Sequence, residues 1–345
     1  MSDRTIPAPA PGGRPLSALP KAHLHLHMEA ALTPQRTARV AAAGGIVLTT
    51  VDLERDFSTF ARAYLELVQL FGAHESLRML FDEIADEAVA DGVRYVELGV
   101  SPAFYAEPYG SSDAAMEAMI AAGEAATART GVVFGMMVTV DRTLPLEAAL
   151  ADAALAAGFA GRGVVSLGLA NDERGHPAGV FAEAFSLAKA AGLKSTPHGG
   201  ELEGPESVVE CLDLLGADRV QHGVRAVEDA ALLVRLAASA VALDVCPTSN
   251  VLLGVAPDLA AHPLPALLDA GVRVTLNADD PHFFGVSLLD EYELCRTALG
   301  LSDATLAGIA AESIRQSALP PAEREAVLAE IAGWLASDPE EIPHV

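Results

Sequence analysis

The chain is short of cysteine, of basic residues and of long apolar runs, and each shortage excludes a class of protein. Three cysteines among 345 residues, odd in number and without CxxC spacing, argue against a disulfide framework and for a reducing, cytoplasmic setting. Lys and Arg number 22 against 47 Asp and Glu, a formal net charge of −25. A surface so acidic repels phosphate backbones and anionic membranes, so no nucleic acid partner is expected. Although 51% of the residues are hydrophobic, no apolar run approaches the roughly 18 residues that a membrane helix needs. The first residues hold Pro and Gly and no apolar h-region, so residues 1–18 are expected to be a flexible tail and not a signal peptide. No internal repeat and no linker follow, which predicts a single domain over residues 19–338 with the last residues frayed.

What the chain does have is His25-Leu26-His27, closing the strand-like run 21–27. Side chains alternate along a strand, so two histidines one residue apart share a face. Paired imidazoles suit a divalent metal, zinc first. HxH alone is common as surface or core histidine. The argument comes from its recurrence, for His198 with Glu201, His222, and the pair Asp279-Asp280 each lie at the end of another apolar run.

Those runs form a rhythm. Strand-like segments at 21–27, 93–100, 132–140, 164–170, 193–198, 219–222, 241–246 and 272–278 alternate with helical segments such as 116–128, 146–157, 178–191, 206–215, 229–238 and 265–270. Eight strand–helix units predict a parallel sheet with crossovers, closed into a (β/α)8 TIM barrel. An open doubly wound sheet is disfavoured because no GxGxxG follows a strand. Residues 301–334 are expected as extra helices outside the barrel. In the amphipathic stretch 56–90, Phe57, Phe60, Tyr64, Leu67 and Phe71 fall at helical spacing. Core packing is the plain reading, with a lid over the site as the alternative.

In such a barrel the chemistry sits at the carboxyl ends of the strands, where these polar residues fall. His25, His27, His198 and Asp279 could supply a nitrogen and oxygen shell for zinc with a position left for water, whose pKa falls toward about 7. His222 could orient that water or take its proton. Asp280 could hydrogen-bond the water or the substrate, and Glu201 could donate a proton if burial raises its pKa. Other motifs fail. His27-Met28-Glu29 is an H-x-E without the P-C-x-x-C of the zinc nucleobase deaminases. His74-Glu75 lacks the second histidine of HExxH. Gly199, Gly200 and Gly204 have no P-loop lysine, and Lys194 begins its strand, away from the end where a bridging ligand belongs.

At these residues the sequence resembles the adenosine deaminase family of zinc amidohydrolases. The matching segments are PKAHLHLHMEAALTP (20–34), HGGELEGPES (198–207), GADRVQHGVRAVED (216–229), DVCPTSNVLLG (244–254) and HPLPALLDAGVRVTLNADDPHFFG (262–285). The resemblance implies a (β/α)8 barrel, one zinc per subunit held by His25, His27, His198 and Asp279, and hydrolytic loss of the 6-amino group of a purine nucleoside. It makes Glu201 the proton donor to the ring nitrogen beside C6. His222 would position and help deprotonate the water, and Asp280 would contact the water and the purine N7 side. Some residues depart from the family pattern. Ala30 stands where Gly follows the acidic residue, here Glu29, that contacts the ribose 5′-hydroxyl in adenosine-specific members. Asn171 replaces the Gly whose backbone donates to purine N3. Asp244 replaces Glu, and Gly99 replaces Arg. The expected reaction is adenosine or 2′-deoxyadenosine to inosine or 2′-deoxyinosine plus ammonia. Deamination of aminodeoxyfutalosine, a 6-aminopurine nucleoside of menaquinone biosynthesis with a larger 5′ group, is the alternative, and free adenine comes third. The oligomeric state is left open.

Overall fold

The computed structural model describes residues 13–43 and 57–338, with the side chains of 57–63 left aside. Eight strands follow one another: β1 (Lys21–His27), β2 (Val93–Val100), β3 (Val133–Asp141), β4 (Val164–Ala170), β5 (Lys194–Gly199), β6 (Arg219–His222), β7 (Ala242–Val245) and β8 (Arg273–Leu276). They pair in sequence order, each parallel to the next. Just past β8 the chain returns to β1. The His27 N–H donates to the Asp279 carbonyl at 3.1 Å and the Asp279 N–H to the His25 carbonyl at 3.2 Å. With the Leu26–Asp279 bridge, these bonds bring the sheet round to a nearly closed (β/α)8 barrel. Helices separate the strands and cover their outer faces.

Strands covered on both faces lose the polar alternation of an open sheet and read as continuous apolar runs. That is why their positions follow from the sequence to within two residues. β1 is buried at all seven positions, histidines included. Parallel crossovers place every strand's carboxyl end at one rim, and this gathers the polar residues of the site.

The stretch 56–90 divides into two helices, Phe57–Leu70 and His74–Ala90. Leu67 and Phe71 are buried, as core packing requires. Tyr64 instead carries its hydroxyl to Glu29. Phe57 and Phe60 fall among the side chains outside the described set, as does all of residue 56. Residues 1–12 and 339–345 also lie outside the described residues, which takes in most of the expected tail and nearly all of the frayed end. Within 13–18, Leu16 is buried, Pro15 accepts the Trp334 indole N–H at 3.1 Å, and Arg14 pairs with Asp303 at 3.4 Å. The helices Asp303–Gln316 and Pro321–Ala336 are the extra helices expected over 301–334, and a further helix, Leu288–Thr297, precedes them. Among the described residues no helix is long and apolar enough to cross a membrane.

The barrel interior holds charge as well as hydrocarbon. Arg219, the first residue of β6, donates to Glu97 at 2.7 Å and to Asp244 at 2.9 Å, and all three side chains are wholly buried. Ser166 donates to Glu97 and Thr275 to Asp244. Asn277 donates to the Thr275 hydroxyl, and its carbonyl oxygen accepts the backbone N–H groups of Leu24 and His25. One polar network thus runs from beneath the site to the backbone of His25.

Candidate active site

The strand ends bring His25, His27, His198 and Asp279 together. One ligand atom from each lies within 4.8 Å of the others, and all four residues are buried. His25 Nε2 and His27 Nε2 approach Asp279 Oδ1 at 3.2 and 3.3 Å. His25 Nε2 and His198 Nδ1 are buried without a hydrogen-bond partner. A buried ring nitrogen with no partner among the described residues costs free energy unless a cation or water meets it. Burial, and then the neighbouring imidazoles, hold His198 well below the usual histidine range, which favours the neutral form that binds a metal. Burial opposes a charge on His27, yet the Asp279 and Asp280 carboxylates draw its pKa up, so the site attracts a cation. Three ring nitrogens and one carboxylate oxygen, buried and close together, fit a divalent ion.

Neighbouring groups aim these ligands. His25 Nδ1 faces the Asp244 carbonyl at 3.5 Å, leaving Nε2 toward the cluster. Ser249 donates to Asp279 Oδ2 at 2.7 Å. Among the described residues the non-glycine residues with positive φ are Asn171 at 83°, His222 at 60° and Asp279 at 61°. Each follows or closes a strand at the site. A left-handed backbone costs such residues of order 1–3 kcal/mol and persists where surroundings fix it.

His222 ends β6 with Nε2 at 3.6 Å from Glu201 Oε1 and 3.9 Å from Asp279 Oδ2. Burial pushes its pKa down to about 3. Glu201 is buried, and burial first, then the negative Asp279 and Glu173, raise its pKa well above the carboxylate range. That shift favours the protonated form, the form a proton donor needs. Glu173 anchors its loop by accepting the backbone N–H groups of Gly200, Glu201, Leu202 and Glu203 at 2.7–3.1 Å, as well as the Ser207 hydroxyl. Asp280 is buried, its pKa pushed up by burial and by Asp279, and its Oδ1 has no hydrogen-bond partner.

On the remaining side sits Glu29, 1% exposed. Its two oxygens accept the hydroxyls of Tyr64 at 2.6 Å and Tyr105 at 2.9 Å. Phe283 stacks on Tyr64 with ring centroids 6.3 Å apart. Ala30 is wholly buried. A Cβ on Gly99 would come within 3.0–3.2 Å of Met137, Thr139 and the Leu26 carbonyl, so the missing side chain opens no space there. Asn171 turns its amide to Asp141 at 2.9 Å.

The barrel rim thus joins every residue singled out in the sequence for metal binding and proton transfer. Sequence reasoning gave no role to Glu173, Tyr105, Ser249, Asn250 or His262. Asn250 and His262 fall inside the CPTSN and HPLP segments, which was the available signal.

The adenosine deaminase family profile matches residues 20–334. A Streptomyces coelicolor protein whose name sets adenosine and adenine deaminase side by side is 41% identical over 340 residues, covering 94% of this chain and 99% of its own. The aminodeoxyfutalosine deaminase of Streptomyces avermitilis is 37% identical over 336 residues, 93% of this chain and 94% of its own. The crystal structure of an adenine deaminase from Arthrobacter aurescens superposes with a TM-score of 0.84 at 29% identity, covering 94% of this chain and all of that one.

Proposed function

The chain belongs to the adenosine deaminase family, and on that premise we propose that it is a zinc-dependent 6-aminopurine deaminase whose substrate is free adenine. Water and adenine give hypoxanthine and ammonia. His25, His27, His198 and Asp279 would hold the zinc, which when bound makes water nucleophilic at neutral pH. Glu201 donates its proton to the ring nitrogen beside C6 as the water oxygen adds to that carbon; of the water's two protons one returns to the Glu201 carboxylate and the other goes to the amino group, which departs as ammonia. His222 hydrogen-bonds the water, and Asp280 contacts the water and the imidazole edge of the purine. The zinc reading rests on the donor set and its unpartnered ring nitrogens. A cytoplasmic location is in keeping with three buried, unpaired cysteines.

The choice of adenine rests on Glu29. Both oxygens of this carboxylate already accept a tyrosine hydroxyl, so a ribose hydroxyl would have to share them with Tyr64 and Tyr105, and the surroundings of Ala30 and Gly99 are packed. A free base needs no sugar subsite. This reverses the order expected from the sequence, where Glu29 by itself favoured a nucleoside. The adenine deaminase from Arthrobacter aurescens is in line with the smaller substrate. A nucleoside is the second reading, favoured by the presence of an acidic residue at position 29.

Zinc-loaded enzyme mixed with adenine, adenosine, 2′-deoxyadenosine and aminodeoxyfutalosine separates the two readings. Adenine is expected to turn over with a kcat/KM of about 10⁴ M⁻¹s⁻¹ or more. Faster turnover of any nucleoside than of adenine would overturn the substrate while leaving the reaction class intact.

A further inference from the structure

A chain of hydrogen bonds behind His222 decides which of its nitrogens carries the proton. The Leu264 backbone N–H donates to His262 Nδ1 at 3.0 Å. A backbone N–H has no lone pair to offer, so His262 Nδ1 is an acceptor and bears no hydrogen. The His262 proton is therefore on Nε2, which meets the Asn250 side-chain oxygen at 3.1 Å. With its oxygen accepting there, Asn250 presents its NH2 to His222 Nδ1, 3.1 Å away. An amide NH2 also donates only, so His222 Nδ1 must keep its lone pair. Asn250, His222 and His262 are all buried, and no solvent competes for these bonds.

We propose that Asn250 and His262 are positioning residues that lock His222 as the neutral Nε2–H tautomer, so that it faces the reaction as a hydrogen-bond donor and not as a base. Protonating Nδ1 would set an N–H against the Asn250 NH2 and break the relay at its second bond. The sequence expectation that His222 takes up the water's proton is replaced by a role as donor to the water oxygen. This deepens the proposed reaction but is independent of which purine is bound, since the tautomer is read without substrate.

The test is nitrogen-15 spectroscopy of the histidine rings in the full-length enzyme, metal-free and zinc-loaded, with His222→Gln used to assign the resonance. His222 is expected to show a proton on Nε2 and a bare Nδ1 in both forms. Asn250→Asp offers two acceptor oxygens, so it should draw a proton onto Nδ1. It should also lower kcat about 10²-fold or more, the cost of losing an aimed donor, at nearly unchanged KM and zinc content. His262→Gln, whose amide can still donate toward Asn250, should retain the wild-type tautomer and most of kcat. A bare Nε2 with protonated Nδ1 in the wild-type enzyme overturns the proposal. So does an Asn250→Asp ring that keeps the wild-type pattern. If Asn250→Asp fails to fold, the wild-type spectrum decides alone.

Discussion

Glu173 accepts the backbone N–H of Glu201 at 3.1 Å, while its charge opposes ionisation of the Glu201 side chain. One carboxylate thus both places the proton donor and helps to keep it protonated. Burial makes the larger contribution and Asp279 adds to it. The donor must be protonated to act, so a raised pKa extends activity to higher pH before it is lost. Glu173→Gln removes the charge, and the alkaline limb of kcat/KM should move to lower pH. The loop also loses acceptors for its N–H groups, at a cost of about 1–3 kcal/mol of stability. A pH profile and a denaturant titration measure the two effects. An alkaline limb that stays in place would separate Glu173 from the chemistry.

Glu201→Gln keeps the shape of the side chain and removes the proton. The variant should bind zinc and adenine much as the parent does, with kcat lower by about 10²–10⁴-fold. Turnover with and without the substitution, beside metal analysis, checks this. Full activity would show that the proton comes from elsewhere.

Asp279 combines an oxygen ligand with a left-handed backbone at φ 61°. Asparagine tolerates that conformation, so Asp279→Asn isolates the metal role from backbone strain. Zinc content per chain after dialysis should fall sharply while the melting temperature of the metal-free protein changes little. Full zinc occupancy would remove Asp279 from the ligand set.

Chelation should destabilise the parent enzyme. Anything that binds the folded state alone adds stability by mass action, and the cluster of His25, His27, His198 and Asp279 exists only when the barrel is folded. Melting curves should drop with chelator and recover with added zinc. A melting temperature indifferent to both would argue against a metal here.

Arg219 bridges the buried carboxylates of Glu97 and Asp244 in the barrel interior. Arg219→Met would leave two buried carboxylates without it, a loss of about 3–5 kcal/mol. Burial disfavours charge on Glu97, but Arg219 and then Lys194 hold its pKa below the usual range. A depressed pKa means stability that is present above the unfolded-state value and lost as pH falls through the folded one. Acid unfolding of the parent should steepen there, and Arg219→Met should show less of that dependence. Urea titrations across acidic pH measure both.

The grouping of His25, His27, His198 and Asp279 was legible because each residue sits at or just past the end of an apolar run, a local signal. The strands were legible for the same reason. Arg219, Glu97 and Asp244 were not. They lie inside runs that read as apolar, and their pairing crosses the barrel, with Arg219 and Glu97 122 positions apart. Glu173 looked like part of a turn, since nothing local shows that its partners are the amides of the next strand's loop. Tyr64 sat in a helical series that reads as core, and Leu67 and Phe71 do follow that reading. The hydroxyl that reaches Glu29 distinguishes it, and a hydroxyl's destination is not written in helical spacing. Asn250 and His262 were visible as letters of matching segments, but their relay depends on a backbone N–H.

The seam between β1 and the turn after β8 sets an order of events during synthesis. His25 and His27 leave the ribosome early, whereas Asp279, whose backbone closes the seam and whose carboxylate completes the cluster, comes near the far end of the chain. A nascent or truncated chain ending before it holds two or three imidazoles with no fourth ligand and no closed wall behind them. Premature termination ahead of Asp279 is expected to yield an inert product and not a weakened enzyme.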